Sequence, residues 1–166
     1  MPEQTPPDAP GDRIRRPRAR KARTIPLMPD LGSMPAELVR NTRLFPGAPY
    51  AYAAAAPGTG LIFTAGACPL DDQGQVVPPG DIAGQMRQAL ANLQAALAEC
   101  GATLRDVLKT TVYVSSSRRE DLVAAWNEVA AAFGDHDAPS TLLGVAVLGY
   151  QGQLVEIEAT AFVAPN

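Results

Sequence analysis

Between residues 81 and 101 the apolar side chains Ile82, Met86, Leu90, Leu93, Leu97 and Cys100 recur at spacings of 4, 4, 3, 4 and 3. That spacing draws one stripe along an α-helix. Asp81 stands where an N-cap is wanted and Gly101 where a helix closes. Over 155–162 the period drops to two. Val155, Ile157, Ala159 and Ala161 alternate with Glu156, Glu158, Thr160 and Phe162, the pattern of a half-buried strand. The odd positions form an apolar face. The even positions put two carboxylates and a hydroxyl on the other. The whole stretch 139–162 reads as two strands joined by a turn at Tyr150, Gln151 and Gly152. Gly144 and Gly149 interrupt the first of them, which points to a bulge or a close backbone approach.

The remaining elements follow the same rules. A first strand is expected within 50–56 and a second over 61–67, separated by the Pro57-Gly58-Thr59-Gly60 turn. Residues 107–115 alternate as a third main strand, with Thr111 and Tyr113 on one face and Val112 and Val114 on the other. Ser117 and Glu120 form an S-x-x-E capping box for a second helix. Leu122, Trp126, Val129, Ala130 and Phe133 are its predicted buried stripe, and Gly134 ends it. The order β-β-α-β-α-β-β predicts an α+β fold: a mixed sheet of about six strands with two helices on one face. The other face would present Thr111, Tyr113, Thr160 and Phe162, which is not the composition of a fully solvated surface. A homo-oligomer packed through that face is therefore expected.

Composition changes this picture in three places. Residues 1–45 hold eight of the sixteen prolines, and seven positive charges fall within 13–23. This segment reads as a disordered Pro/Arg-rich tail, with a folded domain over 46–166. The basic run either contacts an anionic partner or is a solvated extension. If Met28 or Met34 is the start, it is not translated. Second, the tail carries nine Lys/Arg against five Asp/Glu, whereas 46–166 carries five against twelve. An acidic domain argues against nucleic-acid binding except through the tail. Third, Cys68 and Cys100 have no metal-like spacing and His136 is the only histidine, so reduced thiols in a cytoplasmic protein and no metal site are expected. No apolar run is long enough for a membrane span. Cys100 falls on the helix stripe and reads as core, Cys68 has no base near it in sequence, and His136 reads as solvated.

Several motifs in this order resemble the reactive-intermediate-deaminase family (Rid, YjgF-like). They are Ala48-Pro49-Tyr50, the strand Ile62-Phe63-Thr64-Ala65-Gly66, the strand from Lys109 to Val114 and the closing Leu154-Val155-Glu156-Ile157-Glu158-Ala159. The match covers roughly 46–164. The resemblance implies a chorismate-mutase-like fold, a homotrimer with small-molecule sites between subunits, and no metal or organic cofactor. It implies hydrolysis of reactive imines and enamines to a keto acid and ammonia. In that chemistry a glutamate positions or activates water and an arginine grips the substrate carboxylate.

Carried over residue by residue, the resemblance makes Glu158 the catalytic carboxylate and places Tyr50, Ala65 and Gly66 in the substrate pocket. Ala65 stands where the family has serine, and Trp126 falls near a family asparagine. The arginine is absent. Its position is Thr141, or Pro139 if the final turn is longer, and no arginine follows Arg119. Ser140 and Thr141 are left as candidate hydrogen-bonding groups for substrate. Loss of a bidentate ionic pair costs on the order of 2–5 kcal/mol of affinity. Glu158 is either this functional carboxylate or a surface carboxylate paired across the sheet; Glu156, two residues away on the same face, is the candidate for the exposed member. Two functions stand side by side. One is a divergent imine or enamine deaminase; the other is a non-catalytic trimer that binds a small metabolite or a partner protein.

Overall fold

The computed structural model describes residues 36–40 and 43–164. The basic run at 13–23 and the candidate starts Met28 and Met34 lie outside them. Six strands and two helices follow in chain order: β1 (Glu37–Val39), β2 (Ala53–Ala56), β3 (Leu61–Thr64), α1 (Ile82–Glu99), β4 (Val107–Val114), α2 (Arg119–Phe133), β5 (Ser140–Gly144) and β6 (Val155–Phe162). One sheet takes the order β1-β2-β3-β6-β4-β5, antiparallel throughout except for the parallel β4/β5 pair. The predicted mixed sheet of about six strands with two helices is thus the observed architecture.

Helix α1 follows its stripe. Asp81 accepts the Gly84 amide at 3.0 Å, and Met86, Leu90, Leu93 and Leu97 are buried. Gly101 follows the helix with φ of +72°, the left-handed conformation that favours glycine. These side chains meet the odd face of β6 and the inward face of β4, where Val155, Ile157, Val112 and Val114 are wholly buried.

Five local expectations are corrected. The final two strands do not form a hairpin, because β4 lies between β5 and β6. A parallel β4/β5 pair needs a crossover, and α2 supplies it. The sheet also begins before residue 46, since β1 pairs with β2 through Leu38 and Ala54. At the start of α2 the capping box at Ser117 does not form. Arg118 is the N-cap without a side-chain bond. Ser116 instead accepts the Arg118 amide at 3.0 Å and donates to Asp121 at 2.7 Å. Within α2, Ala125 and Val129 are buried while Ala130 is exposed. His136 is also tied down rather than solvated. Its Nε2 lies 2.8 Å from the Val107 carbonyl, and its ring stacks on Phe133. Gly144 marks a close approach, as its sequence position suggested: a Cβ there would stand 2.6 Å from the Ser116 carbonyl oxygen.

The even face of β6 is left uncovered by the helices. Register places Phe63 opposite Thr160 and Leu61 opposite Phe162 on one side. On the other, Thr160, Glu158 and Glu156 stand opposite Lys109, Thr111 and Tyr113. Phe63 is 50% exposed, Leu143 44% and Phe162 41%.

Candidate functional site

Strand β6 carries its two carboxylates into different surroundings. Glu156 turns toward the segment that follows β3. Its Oε2 accepts from Gln153 Nε2 at 2.9 Å and from the Cys68 thiol at 3.5 Å. Its Oε1 lies against Gly66, where an added Cβ would fall 1.8 Å away. Gly66 does not have positive φ. The glycine is required there by the carboxylate's approach, not by its own backbone.

This placement has local causes. Ala67 forms two backbone hydrogen bonds with Ile157, which draws 66–68 beside β6 after β3 has ended. Gln153 is itself buried, and its Oε1 accepts the Tyr150 amide at 3.0 Å. Its amide group therefore cannot turn away from Glu156 without losing that bond. Tyr150 in turn shares a hydroxyl–hydroxyl hydrogen bond of 3.2 Å with Tyr50, and Tyr50 packs edge-on against Tyr52. Burial, and then the bond with Tyr150, holds the Tyr50 phenol protonated well above its ordinary range. Tyr50, Ala65, Gly66 and Cys68 together border a small enclosed cavity of about 20 Å³, room for roughly one water.

The Cys68 thiol is pushed up to about 12, chiefly by burial and then by the Glu156 carboxylate beside it. A thiol so placed is a hydrogen-bond donor, not a nucleophile. At pH 8 its thiolate fraction is lower than that of an ordinary thiol by about a thousandfold. We expect iodoacetamide to modify Cys68 in the native chain slower than in the urea-unfolded chain by at least about a hundredfold, read by peptide mass spectrometry. Equal rates would mean that the thiol is neither buried nor paired with Glu156.

Glu158 stands elsewhere, on the open sheet face. It accepts a 3.0 Å hydrogen bond from the Tyr113 hydroxyl. With Phe63, Lys109, Thr111 and Thr160 it borders a shallow pocket of about 270 Å³. Burial, followed by the bond to Glu158, raises the Tyr113 phenol above its usual range. Thr141 belongs to the same region, because its hydroxyl accepts from Lys109 Nζ at 2.9 Å. Ser140 does not. Its hydroxyl bonds Thr110 and the Ala138 carbonyl, and it borders a recess with Trp126 and His136. Adjacent residues of one strand point to opposite faces, so Ser140 and Thr141 cannot serve one pocket of a single chain.

The site residues named from sequence therefore fall into two groups, with Ser140 in neither. Tyr50, Ala65 and Gly66 border the small cavity, and of these Gly66 lies against Glu156. Glu158 and Thr141 lie on the open face with Lys109 and Tyr113. Gln153, Cys68 and Lys109 had no assigned role in the sequence reading. The alternation of β6 put Glu156 and Glu158 on one face, but nothing local distinguished their neighbours. Among the described residues no group of three or more His, Cys, Asp or Glu side chains is arranged to hold a metal ion. No described helix is long and apolar enough to cross a membrane.

A family model described as endoribonuclease L-PSP matches residues 41–163. A RutC family protein of Pyrococcus horikoshii is 34% identical over 111 residues, 67% of this chain and 86% of that protein. A Mycobacterium tuberculosis member of the YjgF/YER057c/UK114 family superposes with a TM-score of 0.63 at 32% identity, covering 78% of this chain and 100% of that one. TdcF of E. coli, whose structure contains bound serine, superposes with a TM-score of 0.66 at 27% identity, covering 77% of this chain and 99% of that one.

Proposed function

The chain belongs to the endoribonuclease L-PSP (Rid/YjgF) family, and we propose that it hydrolyses a small reactive imine or enamine in a cleft completed by a second copy of itself. The observation that carries this reading is the fixed carboxylate of Glu156. One oxygen is held by Gln153 and Cys68, and the other is presented beside Gly66. A carboxylate whose orientation is set before substrate arrives is what a water-directed hydrolysis needs. Glu156 accepts a proton from water as the oxygen bonds to the C=N carbon. Glu156 passes that proton to the imine nitrogen, and the resulting neutral carbinolamine gives up its hydroxyl proton to the nitrogen by the same route as the C–N bond breaks, leaving a carbonyl and ammonia. Glu158, the carboxylate named from sequence, has one phenol partner and an open surrounding, which favours Glu156 for this role.

The split of the named residues supports an oligomer. Within one chain, Thr141 and the open end of the sheet lie apart from Tyr50 and Gly66. Packing the uncovered face against a neighbouring copy covers Phe63, Phe162 and Leu143 and lets one copy's β5 edge face another's Glu156. A homotrimer of this kind fits the family. The bound serine of TdcF suggests a ligand of amino-acid size for this chain as well. An RNase role has less support, since residues 46–166 carry five Lys/Arg against twelve Asp/Glu.

The test is ammonia release from imines generated in situ by an amino-acid oxidase, with semicarbazide trapping as a second readout. We expect the wild-type chain to accelerate hydrolysis and compete with semicarbazide. Its mass in solution should be three times that of one chain. No acceleration across a panel of parent amino acids would move the chain to the role of a non-catalytic binder. A monomeric mass would remove the shared cleft.

A further inference from the structure

Register aligns Glu37, Ala55, Ile62, Ala161 and Val107 in one row across the sheet. That row marks the end of the sheet where β4 begins, and residues 100–106 join it to the C-terminal end of α1. Helix α2 ends there as well, since His136 just beyond it reaches the Val107 carbonyl. Between the two helix ends lies an open groove of about 650 Å³. Ala98, Leu104, Ala132 and Phe133 form its apolar walls, and Arg105 and Asp135 stand on its rim.

The charge at this end is one-sided. The last turns of α1 and α2 carry no basic residue, so the partial negative charge of their final carbonyls meets no cation from its own helix. Glu99 closes α1 and Asp135 follows α2. Burial, and then the charges of Glu37 and Glu99, raise the Cys100 thiol above its usual range, so both carboxylates lie near the end of α1. Arg105 is the cation on the rim. The groove therefore suits a segment with apolar side chains next to a strongly basic stretch.

The chain supplies such a segment itself. The N-terminal arm that leads into Glu37 holds Ile25, Leu27 and Met28, preceded by seven Lys/Arg within 13–23. Four strand spacings, about 19 Å, separate Glu37 from Val107. The ten residues from Leu27 to Glu37 can reach about 33 Å. Pro26 and Pro29 restrict the backbone of this stretch, which lowers the cost of ordering it. Tethering also gives the arm an effective concentration on the order of millimolar, an advantage that no separate partner has. We propose that the groove between the ends of α1 and α2 is the docking site of this chain's own N-terminal arm, with Ile25, Leu27 and Met28 against its apolar walls and the basic run 13–23 against the helix carbonyl ends, Glu99 and Asp135. This contact is independent of the proposed hydrolysis.

Photo-cross-linking of the full chain tests it. A benzophenone side chain is placed at Leu27 in one sample and at Met28 in another, and the products are mapped by peptide mass spectrometry. Mixing ¹⁵N-labelled with unlabelled chains distinguishes links within one chain from links between two. We expect links within one chain to peptides spanning 94–105 or 130–135. Reversing two rim charges, with Glu99→Lys and Asp135→Lys together, should lower their yield about fivefold or more at low salt, with the melting temperature checking that the variant is folded. Links that join two chains assign the groove to a second copy. Links that map elsewhere, or none from either position, leave it to a separate partner. Each of these results overturns docking of the arm, and a yield unchanged by the charge reversal overturns the seat given to the basic run.

Discussion

Glu156→Gln is expected to lower imine hydrolysis by about 10²–10⁴-fold, the range for losing a positioned general base, whereas Glu158→Gln should cost less than about tenfold. The amide keeps the shape of the carboxylate and can still accept from Gln153, so the fold is retained while the proton acceptor is lost. Gly66→Ala is the companion variant. Its methyl would enter the space of Glu156 Oε1, 1.8 Å from the added carbon, so the carboxylate must swing away although its charge remains. Overpacking of this kind costs about 1–3 kcal/mol of stability, and activity should fall almost as far as in Glu156→Gln. Parallel kcat and thermal-melt measurements on the three variants decide the matter. A larger loss in Glu158→Gln would return the role to the carboxylate named from sequence. A fully active Gly66→Ala would mean that the oxygen beside Gly66 takes no part.

Gln85→Leu is expected to be the most destabilising single change. Gln85 has no exposed surface although it sits in the first turn of α1, next to the helix end. Its amide nitrogen donates to the carbonyls of Pro78 and Gly152 at 3.1 and 3.0 Å, and its oxygen accepts the Leu154 amide at 2.8 Å. Leucine fills similar space but leaves those three backbone groups without partners. Each such group costs about 1–3 kcal/mol, so a total of about 3–5 kcal/mol is expected after local relaxation. At this chain length that lowers Tm by about 10–15 °C. Gln94→Leu, on the exposed side of the same helix, should change stability by less than about 0.5 kcal/mol. Differential scanning calorimetry of the pair separates a structural staple from a general intolerance of leucine. If Gln85→Leu melts within 2–3 °C of wild type, the three bonds contribute little. Because Gly152 and Leu154 lead directly into β6, the variant should also loosen Gln153 and reduce activity through Glu156.

The sequence by itself determined those features whose causes lie within a few residues. Helix α1 was legible because its apolar side chains repeat at helical spacing and Asp81 can reach the Gly84 amide three residues on. Strand β6 was legible because burial alternates with chain position. The fold class followed from the order of such elements, and the family from motifs along 46–164. Local capping was less legible: Ser116 and Ser117 offer the same hydroxyl, and only the path of the chain entering α2 selects Ser116.

The tertiary structure decided what depends on residues far apart. Strands β5 and β6 are neighbours in sequence, yet β4 separates them, because the α2 crossover lays β5 parallel to β4 on its far side. The two carboxylates of β6 are equivalent in the alternation and differ only in what the sheet brings to them. Glu156 meets Gly66 and Cys68, about 90 positions earlier, while Glu158 meets Tyr113 across a strand pair. Lys109 and Thr141 are likewise joined only by the β4/β5 register. Side-chain period sets which face a residue occupies, but the identity of its neighbours there depends on strand order, which local pattern does not contain.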